Sequence, residues 1–242
     1  MKMVFIAAGK GSRLSLVTNG IPKTLIKLFD KPLIDLLLQN CLDVGIRDIV
    51  IVTGYRQDLI TNHFKDLNSD LSIAFVYNNE WEFPNGLSVL AAKETIPKGE
   101  EFLVSMSDHF YSTDLLNKVK DSSLETTIVN VGIDYNLARI HDINDAMKVK
   151  VKSGHNLITS MSKELTDYDA VDCGVFKCRY EFFSILESAR EKAHYSLSEG
   201  CELLISKNNL GSVNIGDSFW IDIDTPESLE YCRRNGQILS LT

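Results

Sequence analysis

Short apolar runs rich in β-branched residues alternate with segments of helical periodicity in the first half of the chain. This alternation predicts βαβ units that build a parallel sheet. The clearest helix is predicted over 32–44, because it begins with a proline, places Leu33, Leu36 and Leu37 on one face and stops before Gly45. We expect an α/β sandwich over 1–110, with strands at 2–7, 48–53, 72–77 and 101–107 and further helices at 57–67 and 86–93.

The second half is less regular, but it repeats the same two kinds of segment. Strands are predicted at 126–132, 147–151, 170–176, 211–215 and 219–223, and helices at 179–192, 196–207 and 226–234. We expect the late strands to extend the first sheet. The chain would then be one domain over 1–242, with a nucleotide-binding half at 1–110 and an acceptor-binding half at 111–242.

Composition narrows the class of protein. The 242 residues are 44% hydrophobic and 24% charged, and no apolar stretch approaches the roughly 20 residues of a membrane span. The first eight residues lead into a glycine-bearing loop, so we expect no secretory signal. Five scattered cysteines without CxxC spacing indicate free thiols and a cytoplasmic protein.

The charge of the chain argues against nucleic acid as a partner and limits where a phosphate ligand could bind. A formal net charge of -8 and a pI of about 5.2 argue against an extended nucleic-acid surface, so we expect no nucleic acid as partner. A phosphate ligand would need a local cluster of cations. Such a cluster is present near the start of the chain, at Lys10, Arg13, Lys23 and Lys27.

The most informative motif follows the first predicted strand. The segment 7–13 reads AAGKGSR in one-letter code, and PKTL follows at 22–25. A glycine-bearing loop lets backbone donors approach a phosphate or a base closely, and Arg13 and Lys23 would add positive charge. Neither GxGxxG nor GxxxxGK[ST] is complete here. The alternative is a plain turn between strand and helix with surface cations.

The pattern AAGxGxRL followed by PKxL resembles the signature of the sugar nucleotidyltransferase superfamily. The resemblance implies a Rossmann-like, GT-A-like α/β fold, with a mixed, mostly parallel central sheet and helices on both faces. It also implies that Arg13 and Lys23 act catalytically by neutralising charge on the triphosphate. Nucleotide binding by the loop would fall on Ala7, Ala8, Gly9, Gly11 and Ser12.

Two acidic segments predict a metal site. Asp108 ends a buried strand, where open α/β sheets bind ligands, and Mg²⁺ prefers one or two carboxylates with phosphate oxygens. The resemblance implies a second ligand in the late segment WIDIDTP at 220–226. Asp224 is the first choice and Asp222 the second. The alternative is that Asp224 merely caps the helix that begins at Pro226.

Four residues between the third strand and third helix lie where members of this superfamily recognise the nucleobase: Asn79, Asn85, Gly86 and Ser88. Their amides and the helix N-terminus could bind a base edge or an anion. Asn85 and Ser88 could equally serve only as helix caps.

Lysines and a conspicuous strand in the second half are candidates for binding the acceptor. Lys148, Lys150 and Lys163 could pair with its phosphate, although alternating lysines also occur on solvated strand faces. The segment 168–176 resembles the acceptor-binding stretch of the superfamily, which implies roles for Asp172 and Gly174. His109, beside Asp108, is expected to be structural, because an ionised phosphate needs no general base.

Within the superfamily, the segments 106–112, 145–149, 162–165 and 168–176 resemble cytidylyltransferases that act on inositol 1-phosphate. Ser162 departs from the glycine expected before the lysine. The resemblance implies Mg²⁺-dependent in-line attack by inositol 1-phosphate on the α-phosphorus of CTP, giving CDP-inositol and diphosphate. It makes a homodimer possible, and a separate membrane phosphotransferase would then use the product.

Other functions stay open from the sequence alone. Phosphocholine or phosphonate cytidylyltransferases share the N-terminal signature, and Trp81, Phe83 and Tyr168 could form a cage for a cationic head group. Another sugar-1-phosphate nucleotidyltransferase is a further alternative. A catalytically silent regulator that binds nucleotide belongs to a different class, and a pyrophosphate-release assay would separate it from the enzymes.

Overall fold

The computed structural model describes residues 1–14, 19–65 and 70–239, and for residue 12 and residues 236–239 it describes the backbone alone. In chain order the strands are β1 (Lys2–Ala7), β2 (Lys27–Leu28), β3 (Lys31–Pro32), β4 (Asp48–Thr53), β5 (Ser72–Tyr77), β6 (Glu101–Met106), β7 (His109–Tyr111), β8 (Val129–Asp134), β9 (Lys148–Val151), β10 (Ile158–Ser162), β11 (Ala170–Arg179), β12 (Leu210–Asn214) and β13 (Trp220–Asp222). The helices are α1 (Leu33–Asp43), α2 (Gln57–His63), α3 (Gly86–Ala91), α4 (Thr113–Lys120), α5 (Phe182–Arg190), α6 (Leu197–Ile205) and α7 (Pro226–Leu239).

One mixed sheet of nine strands runs through both halves of the chain. Its main path has the order β10-β9-β11-β6-β1-β4-β5, with β8 paired to β11 and β12 paired to β8. Strands β6, β1, β4 and β5 are parallel, and β11 joins them antiparallel to β6. The long strand β11 therefore connects the parallel strands of the first half to the strands of the second half.

Helices cover both faces of this sheet, as the sequence predicted. On β1, Met3 and Phe5 share a core cluster with residues of α1, α4 and α7, whereas Val4 and Ile6 share the opposite cluster with α3, α5 and α6. A strand buried on both faces needs apolar side chains at successive positions, which explains the continuous apolar run at the start of the chain.

Most predicted elements are present, with shifted ends. The helix expected over 179–192 begins only at Phe182, because β11 continues through Arg179 and pairs with both β6 and β8. The helix expected over 57–67 ends at His63, and its last two predicted residues lie outside the described residues. Strands β2, β3, β7 and β10 and helix α4 were not predicted, because they are short or carry polar residues at alternate positions.

The five cysteines are buried free thiols, as expected. Burial raises the pKa of the Cys41 thiol to about 12, so this thiol is neutral at physiological pH. Among the described residues, no helix combines the length and the apolar character that crossing a bilayer requires.

Candidate active site

The glycine-bearing loop and the PKTL segment form one unit in the structure. Gly11 has φ +62, and a Cβ placed on it would lie 2.6 Å from Cγ of Lys23. The Lys23 stem therefore packs directly on the Gly11 backbone, which explains why the two halves of the motif occur together. A Cβ on Gly9 would meet no atom within 4 Å, so the space beside Gly9 is open.

Other residues of the loop contribute through their backbone. Ala7 and Ala8 are 5% and 1% exposed, so their side chains belong to the core. The Ala8 carbonyl accepts a hydrogen bond from the Tyr55 amide at 2.9 Å, which ties the loop to the end of β4. The side chain of Ser12 lies outside the described part of the chain.

Lys23 reaches the carboxylate that ends β6. Its Nζ lies 3.0 Å from Oδ2 of Asp108, and the other oxygen, Oδ1, is 3.1 Å from Nδ1 of His109. Burial alone would raise the pKa of Asp108, but the hydrogen bond from His109 and the charge of Lys23 lower it well below its usual range. Asp108 is therefore an ionised carboxylate in a partly buried position.

A two-stranded ribbon brings the second carboxylate to the same place. Strand β13 pairs antiparallel with β7 in a register that sets Asp222 opposite His109. One ligand atom from each of Asp108, His109 and Asp222 lies within 4.8 Å of the others. Among the described residues, Oδ1 of Asp222 has no hydrogen-bond partner although it is buried, as is true of Oδ2 of Asp224, and it lies 3.9 Å from Nδ1 of His109. A buried, unpaired carboxylate oxygen beside a second carboxylate fits a divalent cation.

The ionisation of these groups supports the same interpretation. Burial, together with the nearby charges of Asp108 and Asp224, raises the pKa of Asp222 to about 7 against the opposing effect of His109. Burial alone would lower the pKa of His109, but the charge of Asp222 and the hydrogen bond to Asp108 raise it to about 9. A bound cation would favour the ionised form of Asp222, whose pKa burial raises.

Asp224 has a different environment from Asp222. Its side chain is 7% exposed and pairs with the guanidinium of Arg13. The cap at the start of α7 comes from Thr225, whose Oγ1 accepts a hydrogen bond from the Ser228 amide at 3.1 Å. Asp222 thus lies beside Asp108 and His109, whereas Asp224 pairs with Arg13, and the cap of α7 comes from neither aspartate side chain. Which of the two aspartates binds the metal stays a prediction.

The residues proposed for base recognition divide into exposed and buried ones. Asn79 is exposed, while Ser88 is 4% exposed and accepts a hydrogen bond from the Asn78 side chain at 3.0 Å. Asn85 accepts a hydrogen bond from the Leu197 amide at 3.0 Å, so it joins α3 to α6. A Cβ on Gly86 would lie 2.6 Å from the Tyr195 carbonyl oxygen. Close packing accounts for Gly86 and Ser88, and direct contact of these residues with nucleotide stays a prediction.

Arg13, Asp108 and Asp222 line a cleft of about 470 Å³ at the carboxyl ends of the parallel strands, whereas Lys23, Gly9 and Gly11 are not among its lining residues. This is the edge at which open α/β sheets bind their ligands. Some of the lining residues are site residues predicted from the sequence, and others had no predicted role. Among the lining residues are Arg13, Asn85, Asp108, Asp134, Arg139, Asp145, Lys163, Asp172, Gly174 and Asp222.

Only one of the three lysines proposed for the acceptor lines this cleft. Lys163 does so, and its Nζ lies 2.7 Å from Oδ1 of Asp145. Lys150 instead pairs with Asp167 and Asp169, at 2.6 and 3.1 Å. Lys148 Nζ donates a hydrogen bond to the Lys163 carbonyl oxygen, so it contacts the Lys163 backbone. Lys148 and Lys150 do not line the described cleft, and their part in acceptor binding stays a prediction.

An irregularity in β11 brings Asp172 and Gly174 to the cleft. The pairing of β11 with β8 shifts register between Asp172 and Phe176, and Gly174 has φ +75. A Cβ on Gly174 would lie 2.6 Å from Cδ2 of His109, so only glycine fits there without displacing that ring. Burial raises the pKa of Asp172 to about 6. The β11 irregularity therefore presents a carboxyl group to the acceptor side of the cleft.

Two carboxylates in the cleft, Asp134 and Asp145, were not predicted as site residues from the sequence. Asp134 is fully buried, and its Oδ2 accepts hydrogen bonds from Arg139 Nε at 2.7 Å and Trp220 Nε1 at 2.9 Å. The Trp220 ring in turn stacks on His109 at 5.8 Å between centroids. Asp145 bridges Arg13 and Lys163. Asp145 belongs to the motif at 145–149, which could have pointed to it as a site residue. No sequence motif contains Asp134.

A glycine-bearing loop with an arginine and a lysine, facing two strand-end carboxylates at the carboxyl edge of a parallel sheet, defines an enzyme that transfers nucleotidyl groups. The model of the family described as Nucleotidyl transferase matches residues 2–137, and the chain belongs to this family.

Curated relatives agree with this membership. The chain is 30% identical over 233 residues to the Bifunctional IPC transferase and DIPP synthase of Aquifex aeolicus, a match that covers 96% of this chain and 50% of that protein. It is 26% identical to the CTP:phosphoglutamine cytidylyltransferase of Campylobacter jejuni, with 95% and 98% of the two chains covered. The chain thus spans about half the length of the bifunctional relative and almost the full length of the second.

Solved structures show the same fold. The inositol-1-phosphate CTP transferase from T. maritima is similar with a TM-score of 0.84 at 24% identity, and the match covers 99% of this chain and 94% of that one. A UDP-glucose pyrophosphorylase complexed with UDP-glucose gives a TM-score of 0.81 at 16% identity over 98% of each chain. The expected Rossmann-like, GT-A-like fold is confirmed.

Proposed function

We propose that this chain is a cytidylyltransferase that converts CTP and inositol 1-phosphate to CDP-inositol and diphosphate. The observation that carries the proposal is the convergence of Arg13, Asp108 and Asp222 on one cleft, with Lys23 paired to Asp108 at 3.0 Å. Relatives named for IPC transfer and for CTP:phosphoglutamine cytidylyl transfer support CTP as the nucleotide. The names of the bifunctional relatives and of the T. maritima structure support inositol 1-phosphate as the acceptor.

The reaction we propose is a single in-line displacement. A phosphate oxygen of the acceptor forms a bond to the α-phosphorus of CTP, and the bond to the leaving diphosphate breaks. No protein nucleophile is needed, so positioning and charge neutralisation would supply the catalysis. Arg13 and Lys23 would stabilise the charge that develops on diphosphate.

A magnesium ion would be held by Asp108 and Asp222 and would supply further charge neutralisation at the phosphates. The unpaired Oδ1 of Asp222 and the ionised carboxylate of Asp108 support this assignment. Asp224 would serve instead to orient Arg13, with which it pairs.

The remaining site residues divide between the two substrates. We propose that the backbone of the loop over 7–12, with Gly9 and Gly11, binds the nucleotide, together with Asn79, Asn85 and Gly86. On the acceptor side, Lys163 would pair with the phosphate, and Asp172 and Gly174 would form the wall that faces the inositol hydroxyls. The cleft lining and the irregularity in β11 support these roles.

Phosphocholine is a weaker candidate as acceptor. The three aromatic residues that could have caged a cationic head group do not line the described cleft. Trp81 packs on Tyr55 and Phe83 on Tyr195, with ring centroids 5.7 and 5.5 Å apart. Tyr168 lies beneath the Lys148 ammonium at 5.7 Å. Phosphonate and other phosphate acceptors belong in the same test.

Pyrophosphate release tests the proposal. The purified protein is given each of four nucleoside triphosphates with inositol 1-phosphate, phosphocholine or glucose 1-phosphate, in the presence of Mg²⁺. We expect release only with CTP and inositol 1-phosphate. Release with a different pair would replace the acceptor or nucleotide named here, and no release with any pair would favour the silent nucleotide-binding regulator.

Cellular context follows from the same proposal. We place the enzyme in the cytoplasm as a single domain over 1–242, with its product passing to a membrane phosphotransferase. The sheet that both halves share supports the single domain. Light scattering on the purified protein would show whether it forms the homodimer that the resemblance makes possible.

A further inference from the structure

Asp145 lies between two cations that approach the cleft from opposite sides. Its Oδ2 is 2.7 Å from Nη1 of Arg13, and its Oδ1 is 2.7 Å from Nζ of Lys163. Each carboxylate oxygen therefore faces a different cation. Asp145 is 35% exposed in its side chain and belongs to the turn that precedes β9.

The two cations belong to different substrate sites in the proposed reaction. Arg13 follows the loop after β1, on the nucleotide side, whereas Lys163 follows β10, on the acceptor side. A group that touches both cations occupies the junction at which the nucleotide phosphates and the acceptor phosphate would meet. A carboxylate there presents two oxygens to two cations, as a phosphate group would.

Electrostatics support a competition between Asp145 and phosphate. Burial alone would raise the pKa of Asp145, but hydrogen bonds from Lys163 and Arg13 lower it below its usual range. Asp145 is thus an anion at neutral pH. A phosphate that takes up both cations would compete with Asp145 for them, because like charges at hydrogen-bond distance repel strongly.

We propose that Asp145 is a positioning residue that holds Arg13 and Lys163 towards the phosphate junction and is displaced when a substrate phosphate binds there. The inference rests on the proposed function for the identity of the acceptor, but not for the presence of a phosphate. Without Asp145, the two cations would repel each other and bind added phosphate more tightly. They would also lose the contact that aligns them before substrates arrive.

Binding measurements on three variants test this role. Asp145→Asn removes the charge with almost the same shape, and Asp145→Glu keeps a carboxylate on a longer stem. Asp142→Asn is the matched control, because Asp142 lies in the same turn, lines the same cleft and has no cation within 4.0 Å among the described residues. Isothermal titration calorimetry at low ionic strength gives the Kd of each variant for pyrophosphate and for inositol 1-phosphate.

We expect Asp145→Asn to bind pyrophosphate and inositol 1-phosphate about fivefold more tightly than the parent, since two partly exposed ion pairs no longer compete. Asp142→Asn should change either Kd by less than about twofold, and Asp145→Glu should resemble the parent. In turnover, Asp145→Asn should lower KM and also lower kcat, because the cations are no longer aligned. A purely structural residue would not produce tighter binding.

Unchanged or weaker pyrophosphate binding by Asp145→Asn would overturn the inference, as would an equal effect of Asp142→Asn. If Asp145→Asn does not fold, Asp145→Ser takes its place, with thermal unfolding as the check. The pyrophosphate result stands apart from the acceptor. If pyrophosphate binds more tightly but inositol 1-phosphate does not bind to any variant, the proposed function fails while the role of Asp145 holds.

Discussion

Gly11→Ala is the substitution that most directly tests how the two halves of the N-terminal motif act together. Gly11 has φ +62, and its missing Cβ leaves room for the Lys23 stem, whose Cγ, Cε and Cδ would lie 2.6, 3.0 and 3.1 Å from that atom. An alanine must therefore push Lys23 aside. Its Nζ, now 3.0 Å from Oδ2 of Asp108, would move with the stem.

Two effects of this substitution have different sizes. The left-handed backbone costs an L-residue about 1–2 kcal/mol of stability, which corresponds to a fall in Tm of about 2–8 °C in a domain of this size. Displacing a catalytic cation by about 1 Å costs about 100-fold in rate. We therefore expect Gly11→Ala to remain folded but to lose most of its activity.

Gly99→Ala is the matched control. Gly99 has φ +82 with no atom within 4 Å of an added Cβ, and it lies before β6 at the edge of the sheet opposite the cleft. Both variants carry the same backbone strain, but only Gly11→Ala crowds Lys23. Thermal unfolding and a pyrophosphate-release assay are measured on both. The reasoning is refuted if Gly11→Ala keeps the parental kcat, or if Gly99→Ala loses as much activity.

Three further predictions follow from the same site and from a helix cap. Lys23→Ala should lower kcat by about 100-fold or more while shifting Tm little, and near-normal turnover would contradict its catalytic role. Asp222→Asn should weaken Mn²⁺ binding, measured by electron paramagnetic resonance, by at least about tenfold, and Asp224→Asn should weaken it less. An equal loss in both would restore Asp224 as a ligand. Glu199→Gln should cost about 0.3–1 kcal/mol at pH 7, because Glu199 accepts a 2.8 Å hydrogen bond from the Ser196 amide in the capping box of α6. That hydrogen bond lowers the pKa of Glu199, so its stabilisation is present above the ordinary glutamate pKa and disappears as pH falls through the lowered one. Chemical unfolding at pH 7 and pH 3 should show the variant and the parent converging in acid, and a constant gap would be evidence against the charge effect.

Patterns within short segments determined much of this protein. The apolar run of β1, the helical periodicity of α1 and the glycine that ends it depend on local backbone preference and on burial of one element. Such preferences act between residues a few positions apart, so the sequence alone predicts them. The same holds for the succession of strands and helices along the first half of the chain and for the motif that carries Gly11, Arg13 and Lys23.

Only the tertiary structure shows that Asp222 and Asp224 have different neighbours. The two aspartates are two positions apart, and the register of β13 on β7 determines which of them faces His109. A shift of two residues would set Asp224 opposite His109 instead, and no local pattern of three residues specifies that register. The role of Asp145 is a second case, because its partner Arg13 is 132 residues away.

Local physics therefore determined which residues carry charge, turn the chain or cover the sheet, because those properties belong to a residue and its neighbours. Long-range pairing determined which charges meet. Distances between side chains across the cleft depend on the register of β13 on β7 and on the irregularity in β11. That is why the sequence predicted the loop and the metal carboxylates as candidates, whereas the separation of Lys163 from Lys148 and Lys150 required the folded chain.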